Sequence, residues 1–551
     1  MRHKITATAI SLVTAALLAA LLAWPSPLSA QSVVGGQTAI GGQTTISGLS
    51  GPTPPPPGPS ILPRMFGGIF NSSTPSWPPR DLAGAAMQQG TCRIWDSGAK
   101  IGQLMTVSGP VGAHTYSFNW TALDSIVQRC KQTAGFTGAP NAPMKVIYTL
   151  GDTPAGAALA GTISVGSCGG VAGCCSPDVT NSCRAYDDNT QGGSTETDTT
   201  MFTFLSNLIT HLNSLGITLD AIELQNEWDT QGFQCWNGAG CGGGTSPLSS
   251  NNTTALMNKA MVRRGADLRA FLNCKSPSTV IYSPSSHVLT VQPGNILDNF
   301  IATSVTTPTL VGGTNGYPAG CPTVASATVF GWQVIDVLNI HPDGNPDTPE
   351  SFIATNGWLV CELTAGCVSQ SGASHNGTFF THLIPMPKTA DEFGTKSMLC
   401  TTGDCLEADA TRRYLYCAFL GYQDCDWYQM DGKGSFTALV GTLGGNGFDR
   451  LALWMIGGVP GTFANPAGTV YAEPFTSSGG SPELFVYDSS ATDSNSGYTC
   501  PNTIGGTGCT TVTVPAGYTT YESLDGVQHA VNGSHQIAVG GKPVCVSTGP
   551  C

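Results

Sequence analysis

Between Met65 and about Ile456, short apolar or alternating runs take turns with longer stretches whose apolar residues recur at helical spacing. Strands are expected at 66–70, 92–96, 145–150, 221–226, 279–282, 334–340, 388–392 and 426–429. Trp120, Leu123, Ile126, Val127 and Cys130 mark one helix face. Phe204, Leu205, Leu208, Ile209 and Leu212 mark a second, with Gly216 as its stop. Further helices are expected at about 255–273, 408–420 and 448–456. Strand and helix in repeated series predict an α/β fold, a (β/α)8 TIM barrel over 61–460.

After Gly457 the pattern changes. Thr469-Val470-Tyr471, Leu484 to Tyr487, Thr511 to Val514 and Ile537 to Val539 are short strand-like runs separated by Gly, Ser, Asn and Pro. They predict a small C-terminal β-sandwich over 461–551. Ahead of the barrel, 31–60 reads as a flexible Gly/Thr/Pro-rich linker. It holds the near-duplicate Gly35-Gly36-Gln37-Thr38-Ala39-Ile40 and Gly41-Gly42-Gln43-Thr44-Thr45-Ile46, and closes on Pro54 to Pro57.

The first thirty residues are basic at Arg2, His3 and Lys4, apolar from Ile5 to Trp24, and end on Leu28-Ser29-Ala30. This is the layout of a signal peptide over 1–30. The apolar run also approaches spanning length, so the alternative is an uncleaved N-terminal anchor. Either reading exports the body of the chain. The 20 cysteines agree with export. Cys235/Cys241, Cys361/Cys367, Cys400/Cys405, Cys417/Cys425, Cys500/Cys509 and Cys545/Cys551 lie close enough to staple local loops. The spacing of zinc sites is missing. Several Asn-x-Ser/Thr sequons, Asn71 and Asn119 among them, suit glycosylation in a host that performs it.

Composition then narrows the class. Of 551 residues, 40% are hydrophobic and only 10% charged, with 70 glycines, so a real core is joined by much loop. A net charge of −13 repels nucleic acid and anionic membrane, and leaves a neutral polymer such as a polysaccharide as a partner. No Gly-x-Ser-x-Gly elbow and no phosphate-cradling glycine loop ending in Lys-Ser/Thr is present.

Two glutamates stand where barrel strands run out into loops. Glu227 ends the fourth expected strand and Glu392 the seventh. In this fold reactive groups project from the C-terminal strand ends. Two carboxyls there, one protonated and one ionised, are what hydrolysis of a glycosidic bond needs. Alternation puts Glu223, Gln225 and Glu227 on the barrel face and Ile222 and Leu224 on the helix face. By the same parity Asp391 should point away, which favours Glu392. His341 stands in His341-Pro342-Asp343-Gly344, which is also a plain turn sequence. A metal at His341 and Asp343 lacks further ligands, and neither metal nor cofactor is expected.

In order and spacing these segments resemble clan A of the glycoside hydrolases, most closely family 39. Arg93-Ile94-Trp95-Asp96-Ser97-Gly98, Trp120 to Asp124, and Ile147 to Pro154 are similar to that family's second strand, following helix and third strand. Glu223-Leu224-Gln225-Asn226-Glu227 is similar to its acid/base segment, and Glu392-Phe393-Gly394 to its nucleophile segment. The resemblance covers about Phe66 to Ile456. It implies a retaining double displacement on β-linked sugars, with Glu227 as acid/base and Glu392 as nucleophile. It further implies that Asn226 bonds the sugar 2-hydroxyl, Arg93 holds the nucleophile ionised, His341 contacts substrate, and Trp427 offers a flat face to a pyranose. Gln225 and Trp228 depart from the clan's aromatic before the Asn-Glu pair and proline after it. The loops holding Cys168 to Cys183 and Cys235 to Cys241 look enlarged, as walls of a cleft. The competing class is a carbohydrate-binding surface protein that keeps the barrel without turnover.

Overall fold

The structure, a computed structural model, describes strands 38–40 and 43–45 and residues 59–551. Outside the description are 73–74, 76–77, 111, 132–143, 152–153, 155–156, 158–197, 227–250, 286–299, 343–347, 351–385, 395–399, 401, 433–435, 464–467, 491–499, 501–503 and 505–507. In helix residues 251–257 only the backbone is described. The N-terminal thirty residues, Glu227, Trp228, Asp343, the pairs Cys235/Cys241 and Cys361/Cys367, and the loop from Cys168 to Cys183 therefore fall outside it.

Eight parallel strands form one sheet: β1 (Phe66–Ile69), β2 (Thr91–Ile94), β3 (Lys145–Thr149), β4 (Ala221–Glu223), β5 (Val280–Tyr282), β6 (Leu338–Asn339), β7 (Lys388–Phe393) and β8 (Tyr422–Tyr428). They pair in the order β6-β7-β8-β1-β2-β3-β4-β5. The ring closes between the ends of that list, where Tyr282 bridges Val337 in parallel and Ser283 N–H donates to the Val337 carbonyl at 2.8 Å. This is the expected (β/α)8 barrel. The eighth strand starts at Tyr422 rather than Asp426, because the preceding helix ends on a left-handed glycine, Gly421, with φ of 79°.

The longer helices among the described residues are α1 (Thr121–Lys131), α2 (Thr199–Ser214), α3 (Asn251–Lys275), α4 (Gly403–Phe419) and α5 (Leu443–Met455). α1 buries Leu123, Ile126, Val127 and Cys130, the expected face, and Cys130 is disulfide-bonded to Cys92 on β2. α2 stops as expected: Gly216 has φ of 71° and Ile217 N–H returns to the Leu212 carbonyl. α4 is different, being buried on every side from Leu406 to Phe419. Such a helix needs a partner on both faces.

Its second partner is the C-terminal sandwich. Strands β9 (Val459–Pro460), β10 (Val470–Thr476), β11 (Pro482–Asp488), β12 (Thr510–Thr513), β13 (Thr520–Glu522), β14 (Gln528–Ala530), β15 (Gln536–Val539) and β16 (Val544–Ser547) follow the barrel. One sheet runs β9-β10-β11-β16-β13-β14 and covers α4 and α5. Alternation sorts its side chains: Val470, Leu484 and Val486 enter the sandwich core, while Tyr471, Phe475, Phe485 and Tyr487 join the barrel core. Phe419 meets Phe475 and Phe485, each at 6.2 Å between ring centres, and Trp454 meets Phe485 at 6.0 Å. The other sheet draws on two short strands of the 31–60 segment. Thr38–Ile40 and Gln43–Thr45, one from each copy of the repeat, pair antiparallel, and the second adds in parallel to β12. Only Gly41-Gly42 separates them, the two-residue spacing of a tight hairpin.

Two antiparallel hairpins, Met105–Ser108 with Thr115–Phe118 and Ser304–Thr306 with Thr328–Phe330, were not legible in the pattern. Disulfides join Cys400–Cys405, Cys417–Cys425, Cys500–Cys509 and Cys545–Cys551, as the spacing predicts; Cys92–Cys130 and Cys274–Cys321 add long-range links. No helix among the described residues is long and apolar enough to cross a membrane.

Phe485 is fully buried where the sheet meets α4 and α5. Truncation to alanine is expected to cost about 3–5 kcal/mol in denaturant unfolding. A loss under about 1 kcal/mol would mean that the sheet contributes little to holding α4 in place.

Candidate active site

The site is built around Arg93. It sits next to last on β2, is 1% exposed, and cannot stay charged there without partners. Two other strands supply them. From β4, Glu223 Oε2 accepts from Arg93 Nε at 3.0 Å and from Nη2 at 2.6 Å. From β7, Glu392 Oε2 accepts from Nη1 at 2.8 Å, and Asp391 Oδ2 lies 3.0 Å from Nε. Asn226, just past β4, accepts from Nη2 at 2.6 Å. Thr149, the last residue of β3, donates to Glu223 Oε2 at 2.6 Å. These are C-terminal strand ends, where the fold presents its reactive groups.

That Asp391 and Glu392 both reach Arg93 overturns the parity expectation. Between β7 and β8, Ala390 is opposite Cys425 and Phe393 is opposite Trp427. Three steps on β7 thus match two on β8, so the strand carries one extra residue, a bulge. Ala390 and Phe393 keep their places in the outer core, and the two acids between them both turn inward. Of the described acids around Arg93, only Glu392 has an exposed edge: its side chain is 9% exposed, against 0% for Asp391 and Glu223.

Alternation on β4 holds for Ile222, Glu223 and Leu224 and stops where the strand stops. Beyond it Gln225 accepts from Arg264 of α3 at 2.8 Å, and Asn226 takes the inward position. His341, fully buried after β6, places Nε2 3.1 Å from Asp391 Oδ1 and Nδ1 3.8 Å from Glu392 Oε2. Arg93, Asn226, His341 and Glu392 are therefore together, as expected. Glu227 lies one residue past Asn226, outside the described residues.

Trp427 is not with them. It is fully buried, packs edge-on against Phe393 at 5.7 Å, and donates from Nε1 to the Thr437 carbonyl at 3.0 Å. Its ring has no free face for a sugar, since β8 turns Asp424, Asp426 and Tyr428 inward and Trp427 outward. The aromatic at the mouth is Tyr428, half-buried, whose hydroxyl donates to Asp96. Asp96 also accepts from Gln429 at 2.7 Å and pairs with Lys100 at 3.0 Å.

Burial pushes the Glu223 carboxyl up to about 7, more than the Arg93 charge pulls it down. Burial also acts to raise Asp391, but Arg93 and then His341 outweigh it and hold that carboxyl below its ordinary value. Burial opposes the Arg93 charge, yet Asp391, Glu223 and Glu392 together hold it well above the ordinary arginine value. Deeper in the barrel, burial pushes Asp426 well above the carboxylate range, with Asp391 and Asp424 adding to it. Gly67 makes room for this acid: a Cβ there would stand 1.8 Å from Asp426 Oδ1.

Glu223, His341 and Asp391 present ligand atoms within 4.8 Å of one another, the one such buried set among the described residues without a disulfide. The Arg93 guanidinium already lies against two of the three, so a metal ion would enter against a fixed positive charge. The donor set fits a guanidinium better than a metal.

No family model and no curated protein matches the chain. Among solved structures it is similar to a family 30 endoxylanase from Clostridium papyrosolvens, with 11% identity over 92% of this chain and 98% of that one and a TM-score of 0.47. It is similar to a family 39 glycoside hydrolase from Bacteroides cellulosilyticus, with 12% identity, 89% and 82% coverage and a TM-score of 0.46. A β-xylosidase from Caulobacter crescentus is similar at 11% identity, 92% and 98% coverage and a TM-score of 0.43. Likeness at this depth does not carry an activity from one chain to another.

Glu223 ties stability to pH. Its proton is held more tightly in the folded chain, at about 7, than at the ordinary glutamate value of 4.5. The stabilisation is therefore fully present below 4.5 and is lost as pH rises through 7. Glu223→Gln is expected to flatten the fall in melting temperature across that window relative to the unaltered protein. Parallel melting curves would refute the assignment.

Proposed function

We propose that the chain is an exported, retaining glycoside hydrolase acting on β-linked oligo- or polysaccharides. The observation that carries this reading is Glu392, a carboxylate at the C-terminal end of a barrel strand, with an exposed edge and a hydrogen bond from buried Arg93. A nucleophile must be ionised while facing substrate. A charge-assisted bond of 2.8 Å from a guanidinium that cannot lose its proton favours the ionised form.

In the first step a Glu392 oxygen attacks the anomeric carbon, the glycosidic carbon–oxygen bond breaks, and Glu227 gives its proton to the departing oxygen. In the second, Glu227 takes a proton from water, the water oxygen attacks the anomeric carbon, and Glu392 leaves as carboxylate. Asn226, fixed by Arg93, stands beside Glu227 in sequence and suits a hydrogen bond to the sugar 2-hydroxyl. Tyr428 takes over the ring-facing role expected of Trp427, with Asp96 and Gln429 as neighbouring polar groups. Six disulfides among the described residues support an oxidising, extracytoplasmic setting. The substrate is taken as neutral, since a chain of net charge −13 disfavours an anionic one.

The test is hydrolysis of aryl β-glycosides, xylans and β-glucans by oxidised protein starting near Gln31. Glu392→Gln is expected to lower turnover by about 10³-fold or more, and Glu227→Gln by about 10²–10⁴-fold on substrates with poor leaving groups. Absence of turnover across the panel, with polysaccharide binding retained in all three proteins, would favour a non-catalytic carbohydrate-binding protein instead.

A further inference from the structure

We propose that Asp391 is a positioning residue for Glu392: it fixes the His341 ring so that Nδ1 faces Glu392, and it holds that ring in the doubly protonated form. The proposal rests on the hydrolase reading for its catalytic meaning, but its geometry stands by itself.

His341 lies between two acids that are adjacent in sequence, Nε2 toward Asp391 at 3.1 Å and Nδ1 toward Glu392 at 3.8 Å. A neutral imidazole has one N–H. With the proton on Nε2, the Nδ1 lone pair faces the Glu392 oxygen; with it on Nδ1, the Nε2 lone pair faces Asp391. Only the imidazolium offers a hydrogen to each. Asp391 is suited to enforce this. It is fully buried, and its own N–H is held by Asn339 Oδ1 at 3.3 Å. Arg93 Nε has a single hydrogen, which is directed to Glu223, so Asp391 gains charge but no hydrogen bond from that atom. His341 is then the side-chain donor that faces Asp391 Oδ1.

Among the described residues, the charged groups around the ring include Asp391 and Glu392 on β7, Glu223 on β4 and Arg93 on β2; Asp426 on β8 acts on Asp391. Burial favours the neutral forms of Glu223 and Asp426, and Arg93 and His341 stand against Asp391 and Glu392. The bulge is what makes this possible, because on a regular strand Asp391 would face the helices and would not reach His341.

Imidazole nitrogen spectra of the full chain, labelled with 15N-histidine and recorded between about pH 5 and pH 8, read the state of the ring directly. Comparison with His341→Gln assigns its signals among the nine histidines. In the unaltered protein the His341 ring is expected to keep both protons through the neutral range. In Asp391→Asn it is expected to lose the second proton at about tenfold higher proton concentration or more. Asp391→Ser repeats the measurement if the asparagine variant does not fold. On whichever aryl β-glycoside the protein cleaves, Asp391→Asn should lower kcat about 10- to 100-fold, leave KM within about twofold, and move the high-pH limb of the profile to lower pH. A His341 ring that is neutral at pH 6, or that titrates alike in both proteins, overturns the proposal, as does an unchanged kcat. Absence of turnover with the expected spectra overturns the hydrolase reading alone and leaves the Asp391–His341 pairing supported.

Discussion

A single buried guanidinium organises the top of the barrel. Arg93 has no water to share its charge with, and an ion of this kind is tolerated in a protein interior only when its partners are close and well aimed. The partners come from β4 and β7, strands set apart in sequence by about as many residues as a small domain holds, and the ring of strands is what brings them to one point. Arginine suits the task better than lysine because its planar fork gives fixed directions to Glu223, Asn226 and Glu392 at once. The same charge also separates the acids. Glu223 lies in the dry interior and keeps its proton to about 7, whereas Asp391, with His341 added, ionises more readily than a free aspartate.

The bulge on β7 requires its own support, and Trp427 provides it. A strand with an extra inward residue must be filled from behind. Phe393 is held there by Tyr414 of α4 at 5.0 Å and by Trp427 at 5.7 Å. α4 is in turn pressed onto the barrel by the six-stranded sheet, tied to β8 by Cys417–Cys425, and joined to the sandwich by Lys542, whose Nζ lies 2.7 Å from Glu407. The C-terminal sheet therefore acts on the site at a distance. By burying the second face of α4 it fixes the helix whose first face backs the two acids.

Much of this was legible in the residue pattern, and the misses have physical reasons. The barrel, five helices, the late β-rich segment and four local disulfides follow from periodicities and spacings that tertiary packing leaves intact. Arg93, Asn226, His341 and Glu392 converge because each lies at a strand end, and strand ends are readable. Asp391 was misread because strict alternation was applied along β7, and a bulge inserts one residue without changing the letters around it; Trp427 was misplaced by the resemblance, where alternation along β8 turns it outward. The strands at 38–40 and 43–45 were hidden by composition: the surrounding glycine and threonine suit a flexible linker, and only the pairing with β12 shows the strand role of Gln43–Thr45.

Both failures of alternation fall at the site itself. On β4 the strand ends early and Asn226 replaces Gln225 as the inward residue; on β7 one extra residue turns two neighbouring acids the same way. A barrel strand of regular pleat presents one inward side chain every second residue, about 6.5–7 Å apart along the strand. Groups that must share one guanidinium need to lie closer than that, so the pleat has to be broken where they meet. Local rules are expected to give way at sites for this reason. In this chain the deviation has a definite product: two acids from adjacent positions, one buried against His341 and one left with an edge toward solvent, both within 3.0 Å of the same cation.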